Sequence, residues 1–453
     1  MIKEINIEKI PFVKKVIVLK LYSIALRKKD SYDFRTAILY LRICIFILPE
    51  WEDLWINLVE ALFDSRRFKE AAKLYYKYIS KCPTISTVHQ LGFNLSVKSS
   101  LIDPFHSQFK ELIKINEIKE MLITLSKSKT IYHPSRFWLY HLVFNTIQLE
   151  IEGIENFKRT VNKNYYSWSS HKDIKSQIET ITNSINTQID DFNYQFSHNV
   201  QNQLPDELTE TQWGDYIKLL RLLYIYAKSH DKLNLWDIAE ENPFGNPICI
   251  NINGKNISQD LPNSIIEINT FMPHVIENIK KGNLNVIELG AGHGRIGSVL
   301  LKMEHNISYT VVDIPPALFV SQKYLKTIFP DKKVFSFREF NDWNEIKDEF
   351  NSAEIKFLLP NQVELLPEKT FNIFINISSL HEMRHEQIIN WHHQINRLTN
   401  GIFFSKQYKY HKNSFDEILV TQDNYPILNN WEPLLNRINP IFSSFFETVY
   451  LIK

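Results

Sequence analysis

Two hydrophobic periods occupy different parts of this chain, and the change from one to the other divides it. Over the first third, apolar residues recur every three to four positions, as in FRTAILYLRICIFILP (34–49) and RRFKEAAKLYYKYISKCP (66–83). That spacing predicts helices that each bury one face. Ala37 and Ala71 stand 34 residues apart, and so do Pro49 and Pro83. A small residue lets paired helices approach closely, and a proline ends the second helix by removing a donor. Helical periodicity continues through 109–126, and 131–246 reads as mostly helical and aromatic, with turn signals at 202–211 and 241–247. From Asn285 onward the pattern becomes short apolar runs rich in β-branched residues: Asn285–Leu289, Tyr309–Val312, Ile355–Leu359 and Phe371–Ile377. Helical stretches separate them. Strands alternating with helices predict a parallel sheet that takes ligands beyond the strands' carboxyl ends.

At 453 residues the chain is too long for one ordinary core. Three regions are expected: 1–130, 131–245 (helical, connecting or substrate-binding) and 246–453. A 34-residue frame set at Glu52 puts Trp55, Leu58, Leu62, Ala71, Tyr75 and Pro83 where tetratricopeptide repeats carry packing residues. The first region is therefore expected to be tetratricopeptide-like, with generic paired helices as the alternative, and to offer a surface to a protein partner. Lys+Arg at 52 against Asp+Glu at 51 leaves a net charge of +1, which argues against a nucleic-acid-wrapping protein. Cys44, Cys82 and Cys249 are scattered and form neither a disulfide framework nor a zinc-ligand spacing. No apolar run approaches the roughly 18 residues of a spanning helix, and lysines interrupt the N-terminal apolar stretch. The expected setting is the cytoplasm, with peripheral attachment to the inner membrane left open.

Glycine is scarce, 11 in all, yet four fall together at Gly290, Gly292, Gly294 and Gly297. They follow the first strand and open a helix in which Ile296, Val299 and Leu300 share a face. Glycine is needed where backbone must lie directly against a ligand. The second strand ends in Asp313, 23 residues after Gly290, placed to accept two ribose hydroxyls. Both a dinucleotide and S-adenosylmethionine are bound by such a loop and acid. The dinucleotide fingerprint needs glycine where Arg295 stands. Glu288, two residues before the first glycine, would repel a pyrophosphate but suits the methionine part of S-adenosylmethionine.

These motifs resemble the sugar O-methyltransferase family of bacterial surface-polysaccharide gene clusters. The resemblance runs from about Leu235 to the C-terminus. It rests on Gly245-Asn246-Pro247, Ile257-Ser258-Gln259-Asp260-Leu261 with Asn263-Ser264, and Gly290 to Arg295. Val312-Asp313-Ile314-Pro315, Gln322 to Leu325, Asn376-Ile377-Ser378-Ser379 with Glu382-Met383, and Ser405-Lys406-Gln407 complete it. It implies a Rossmann-like class I methyltransferase domain, S-adenosyl-L-methionine as cofactor, and a nucleotide-linked, lipid-linked or polymeric sugar as acceptor. The cofactor contacts it implies are Glu288, Gly290, Gly292, Gly294, Arg295, Asp313, Ile314, Asn361, Gln362 and Asn376. Asn361 and Gln362 occupy the position that meets the adenine. Asn372, where an acid often opens the fourth strand, departs from the pattern.

Methyl transfer to an alcohol is an in-line displacement that gains from alignment and a general base. His381, after the fourth strand, is the first candidate base, with Glu382 as its orienter or replacement. Asp260 and Gln259 precede the cofactor strand in a segment expected to fold over the site or to cap a helix. His293 and Arg295, in the loop, could face the cofactor carboxylate or an acidic sugar. His381-Glu382-Met383-Arg384-His385 also satisfies the zinc-protease pattern H-E-x-x-H. It straddles a strand end and a helix start, with no completing third-ligand motif, so no metal is expected. The remaining alternatives are an inactive methyltransferase fold serving as an interaction protein, a methyltransferase of a non-sugar molecule, and a dinucleotide oxidoreductase.

Overall fold

The computed structural model describes residues 12–49, 51–65, 67, 70, 74, 113–158, 171–185, 210–275, 283–303, 306–413, 416 and 418–453. The chain divides into two compact units, Met1–Leu112 and Ile113–Lys453.

In the first unit, helices α1 (Phe12–Asp30), α2 (Phe34–Ile47) and α3 (Glu52–Asp64) pack in succession. Asp33 begins α2 by accepting the Thr36 N–H on its carboxylate, and the helix stops one residue short of the Leu48–Pro49 step. Ala37 is fully buried, which allows the close approach its small size predicts. Leu41, Leu58 and Leu62 form the core, with Trp55 against it. Ala71, Tyr75, Pro83 and most of the helix expected over 66–83 lie outside the described residues, as does the turn at 202–209.

The second unit begins with helices α4 (Asn116–Ser126), α5 (Arg136–Glu152), α6 (His171–Ile185), α7 (Glu210–His230) and α8 (Leu235–Ile238). The sequence boundary at 130 falls inside this unit. Glu117 of α4 pairs with Lys323, and Lys127 and Lys129 just beyond it pair with Glu339 and Glu364. A small hairpin, β1 (Ile250–Ile252) and β2 (Lys255–Ile257), leads into α9 (Asp260–Phe271).

The sheet is built from β3 (Leu284–Leu289), β4 (Ile307–Val312), β5 (Val334–Phe335), β6 (Ile355–Leu358), β7 (Phe371–Ile377) and β8 (Thr399–Tyr408). After a second hairpin, β9 (Tyr410–Asn413) and β10 (Ile418–Thr421), come its last strands, β11 (Trp431–Ile438) and β12 (Phe445–Ile452). Eight strands run in the order β11-β12-β8-β7-β3-β4-β6-β5. Six are parallel, while β12 lies antiparallel between β8 and β11, making the sheet mixed. Helices α10 (Arg295–Leu300), α11 (Ala317–Ile328), α12 (Lys347–Ser352) and α13 (His385–Leu398) connect the parallel strands. β3 and β7 are buried along nearly their whole length, which explains apolar runs without alternation. The chain leaves β3 toward β4 on one side and returns to β7 on the other. That reversal opens a crevice beyond the carboxyl ends of β3 and β7.

Candidate functional site

The loop after β3 fills that crevice. Gly290, Gly292 and Gly294 all have positive φ, as the glycine cluster predicts. Two of them do different work. A Cβ on Gly290 would collide with the Ser379 hydroxyl, so this glycine lets the turn after β7 close on the loop. A Cβ on Gly292 would meet no protein atom within 4 Å, so there the backbone faces open space. Gly294 begins α10, whose Ile296, Val299 and Leu300 are buried on one face as expected.

Asp313, at the end of β4, is held by this loop. Its Oδ2 accepts the Gly292 N–H at 2.8 Å and its Oδ1 accepts the Ile314 N–H at 2.7 Å. Burial pushes its carboxyl up to about 7 against these two bonds. Glu288 is buried beneath the loop, where Tyr309 donates its hydroxyl to the carboxylate. Burial pushes Glu288 up to about 8. The Tyr309 ring reaches it by lying against Gly297, where a Cβ would clash with the ring. Glu288, Gly290, Gly292, Gly294, Asp313 and Ile314 are thus brought together.

A second layer covers the loop, and the sequence showed only part of it. Asp260 opens α9 and places Oδ2 3.6 Å from His293 Nε2, a buried nitrogen without a hydrogen-bond partner. Burial raises Asp260 to about 6, and burial together with the Lys158 and Arg295 charges lowers His293 well below its usual range. Phe157 and Tyr324 flank the His293 ring, each 5.4 Å away between centroids. Lys158 forms a buried ion pair with Glu241 at 2.6 Å, and Ser258 donates to the same carboxylate. Neither Phe157 nor Lys158 carries a local signal that sequence reasoning could have used.

Arg295, the loop cation, is engaged by buried groups of the protein. Its guanidinium binds Glu267 Oε2 at 2.5 Å and Ser264 Oγ at 3.1 Å, and Lys406 binds the other Glu267 oxygen at 2.9 Å. Burial alone would raise Glu267, but the Arg295 and Lys406 charges outweigh it and hold the carboxyl low. Arg295 therefore joins α9, α10 and β8, because a buried acid leaves its charge no cheaper partner. Gln362 is also used internally: its side-chain oxygen accepts the Leu359 N–H and its amide donates to the Arg338 carbonyl. Its neighbour Asn361 keeps a buried side-chain oxygen with no partner. Asn372, the departure at the fourth strand, accepts the Asn285 N–H at 2.9 Å, a bond that an acid would make equally well.

Beyond β7, the protons of a buried chain of amides are fixed by the backbone. Asn376 Nδ2 donates to the Leu289 carbonyl at 2.8 Å, and its Oδ1 accepts the Leu380 N–H at 3.1 Å. Asn376 thus ties β7 to β3 and to the turn after β7. Because its oxygen points this way, Gln407 must present Nε2 to it, at 2.6 Å. Gln407 Oε1 then faces His381 Nδ1 at 2.9 Å, so that nitrogen carries the proton. His381 Nε2 is left with a bare lone pair, buried and without a hydrogen-bond partner. Burial, with His411 nearby, pushes His381 down to about 3, so the ring is neutral. Glu382 Oε1 lies 3.7 Å from Nε2. His381 sits in the turn Leu380–Glu382 and His385 opens α13, so H-E-x-x-H does not form one helix here.

No family model and no curated protein matches this chain. Solved structures similar to it include a SAM-dependent methyltransferase from Aquifex aeolicus, 10% identical, covering 40% of this chain and 88% of that one, with a TM-score of 0.24. A SAM-dependent methyltransferase from Leishmania major is 15% identical over 40% of this chain and 70% of its own, with a TM-score of 0.27. A protein from Pyrococcus horikoshii is 14% identical over 41% of this chain and 89% of its own, with a TM-score of 0.28.

Proposed function

We propose that the second unit is an S-adenosylmethionine-dependent O-methyltransferase, acting on a sugar hydroxyl in surface-glycan assembly. The observation that carries this reading is Asp313, fastened by the Gly292 N–H beside the open face of that glycine. Each carboxylate oxygen retains a lone pair for a ribose hydroxyl. Asn361 supplies an unpartnered buried acceptor suited to the adenine amino group. Glu288, with Asp260 and His293 above the loop, would surround the methionine end. Bound there, S-adenosylmethionine supplies a methyl group made electrophilic by its sulfonium.

The chain's own contribution is alignment and proton removal. His381 Nε2, its lone pair set by the Leu289–Asn376–Gln407 relay, accepts the hydroxyl proton. Glu382 is close enough to stabilise the imidazolium that results. A buried neutral histidine is a weak base at rest, so this pairing decides whether it works. The acid-bearing helix α9 and Lys158 exclude water from the methionine end.

The test is methyl transfer to a panel of nucleotide-linked and lipid-linked sugars, read as one added methyl by mass spectrometry. Product from wild type, and much less from Asp313→Ala at subsaturating S-adenosylmethionine, supports the reading. Transfer only to amines or thiols sinks the oxygen assignment, and no transfer to any acceptor class sinks the enzyme.

A further inference from the structure

His411 has no role in the account so far. It stands on β9, and the β9–β10 hairpin packs across the Leu380–Glu382 turn that carries His381. At the hairpin's end, Asp416 accepts the N–H groups of Arg136 and Phe137 at 2.9 and 3.1 Å, and Asn413 donates to it at 2.8 Å. The hairpin is therefore tied to the first turn of α5 while presenting His411 to His381. The two imidazole centroids lie 4.6 Å apart with the rings inclined at 59°.

Each ring keeps its Nε2 enclosed by protein with no hydrogen-bond partner. A buried polar atom left unpaired is costly, and one on each of two neighbouring rings is not explained by stability. A ligand that satisfies both removes that cost. His381 can only accept at Nε2, because its proton is held at Nδ1. Nothing fixes the His411 Nε2, which can accept or donate according to its tautomer. Burial lowers both rings, so neither offers a positive charge to a carboxylate or phosphate.

A hydroxyl both donates and accepts. Two hydroxyls on adjacent carbons therefore suit this pair: one donates to His381, and its neighbour meets His411 in either sense. A lone hydroxyl meets both nitrogens only when His411 carries its proton on Nε2, whereas a diol meets both in either tautomer. We infer that His411 is an acceptor-binding residue which, with His381, selects a vicinal diol and presents the hydroxyl on His381 for reaction. The diol site stands on these two nitrogens; only the word reaction rests on the methyltransferase reading.

The experiment is a titration of the full chain, saturated with S-adenosylhomocysteine, with methyl glycosides of gluco, manno and galacto configuration at high millimolar concentration. Each is compared with its deoxy analogue lacking one hydroxyl of the pair, and imidazole nitrogen–proton correlation spectra report the two histidines. At least one diol should shift both Nε2 resonances and bind about tenfold more tightly than its deoxy partner, the loss of roughly one hydrogen bond. His411→Ala should erase that preference, and His411→Asn, which keeps a donor and an acceptor, should restore part of it. Equal binding of diol and deoxy sugar by wild type overturns the inference. So does a preference that survives in His411→Ala, or the absence of any glycoside that moves either histidine. Should His411→Ala unfold, the wild-type spectra and His411→Asn still decide. Heat of S-adenosylhomocysteine binding, measured on the same preparation before that ligand is added, reads the parent proposal: diol-dependent shifts without that heat would retain the site and remove methyl transfer.

Discussion

Replacing Asp313 by alanine separates what the carboxylate does for the fold from what it does for the cofactor. In the free protein it accepts two backbone N–H bonds, at 2.8 and 2.7 Å, each charge-assisted and worth about 1.5–3 kcal/mol. Burial outweighs them: with both bonds in place the carboxyl still stands at about 7 against 3.8, a net cost to the ionised form of roughly 4 kcal/mol. At pH 8 the ionised carboxylate therefore adds no net stability, and the variant should melt at or above wild type. The native state keeps its proton where the unfolded chain has released it, so this group's contribution to stability falls as pH rises from about 4 to about 7. Asp313→Ala should lack that slope. Cofactor binding should behave differently, because in the proposed site the ionised carboxylate would accept the ribose hydroxyls. Losing those bonds should weaken S-adenosylhomocysteine by about 3 kcal/mol, or roughly 100-fold, at pH 8. At pH 6 the wild-type carboxyl is itself protonated, and the gap should shrink to about tenfold or less. Calorimetric titrations at both pH values, with thermal melts alongside, measure this. Equal losses at pH 6 and pH 8, or no loss at pH 8, would refute the reasoning.

The two loop glycines should part company: Gly290→Ala strikes Ser379 and should lower the melting temperature, whereas the Cβ of Gly292→Val meets no protein atom within 4 Å. Beyond about 1–3 kcal/mol of backbone strain, Gly292→Val should fold and lose cofactor affinity, and a variant that binds normally would show that the open face is not the site. His381→Ala should cut turnover by about 10²–10⁴-fold with cofactor affinity unchanged, and His381→Gln should restore little because it cannot take the proton. Since burial holds His381 near 3, turnover at saturating cofactor should show no histidine titration between pH 6 and pH 8; a step there that vanishes in His381→Ala contradicts the buried neutral ring. Glu267→Gln strands two buried cations, Arg295 and Lys406, and should destabilise the chain by about 3–5 kcal/mol in urea melts; a loss under about 1 kcal/mol means the triad is not buried as described.

The core of the sheet was legible because its signal is local. Phe371–Ile377 emerges with the bounds its apolar run predicts, and the run Asn285–Leu289 gains only Leu284. Glycines in a glycine-poor chain marked the loop, and the spacing to Asp313 marked its partner. Contacts between distant segments were not legible. Arg295 reads as a loop cation until Glu267, on the preceding helix, claims it. Lys158 and Glu241 come from non-helical segments with no motif, yet they cover the loop. The run Ser405-Lys406-Gln407 was readable only as a resemblance, although each residue has a physical task. Ser405 accepts from Gln407, Lys406 neutralises Glu267, and Gln407 sets the His381 tautomer. His411 sits in a polar hairpin without helical or strand periodicity of its own, and only the fold brings it to His381. On the N-terminal side, the helical period was enough for α2 and α3. The second repeat's diagnostic positions, Ala71, Tyr75 and Pro83, fall outside the described residues.

The central claim is that the glycine loop and Asp313 hold S-adenosylmethionine and not a dinucleotide. Parallel calorimetric titrations of the wild-type chain with S-adenosylhomocysteine and with NADH test it most directly. The expected result is saturable one-site heat with S-adenosylhomocysteine, lost in Gly292→Val, and none with NADH. Heat with NADH, or silence with S-adenosylhomocysteine at millimolar concentration, would contradict it.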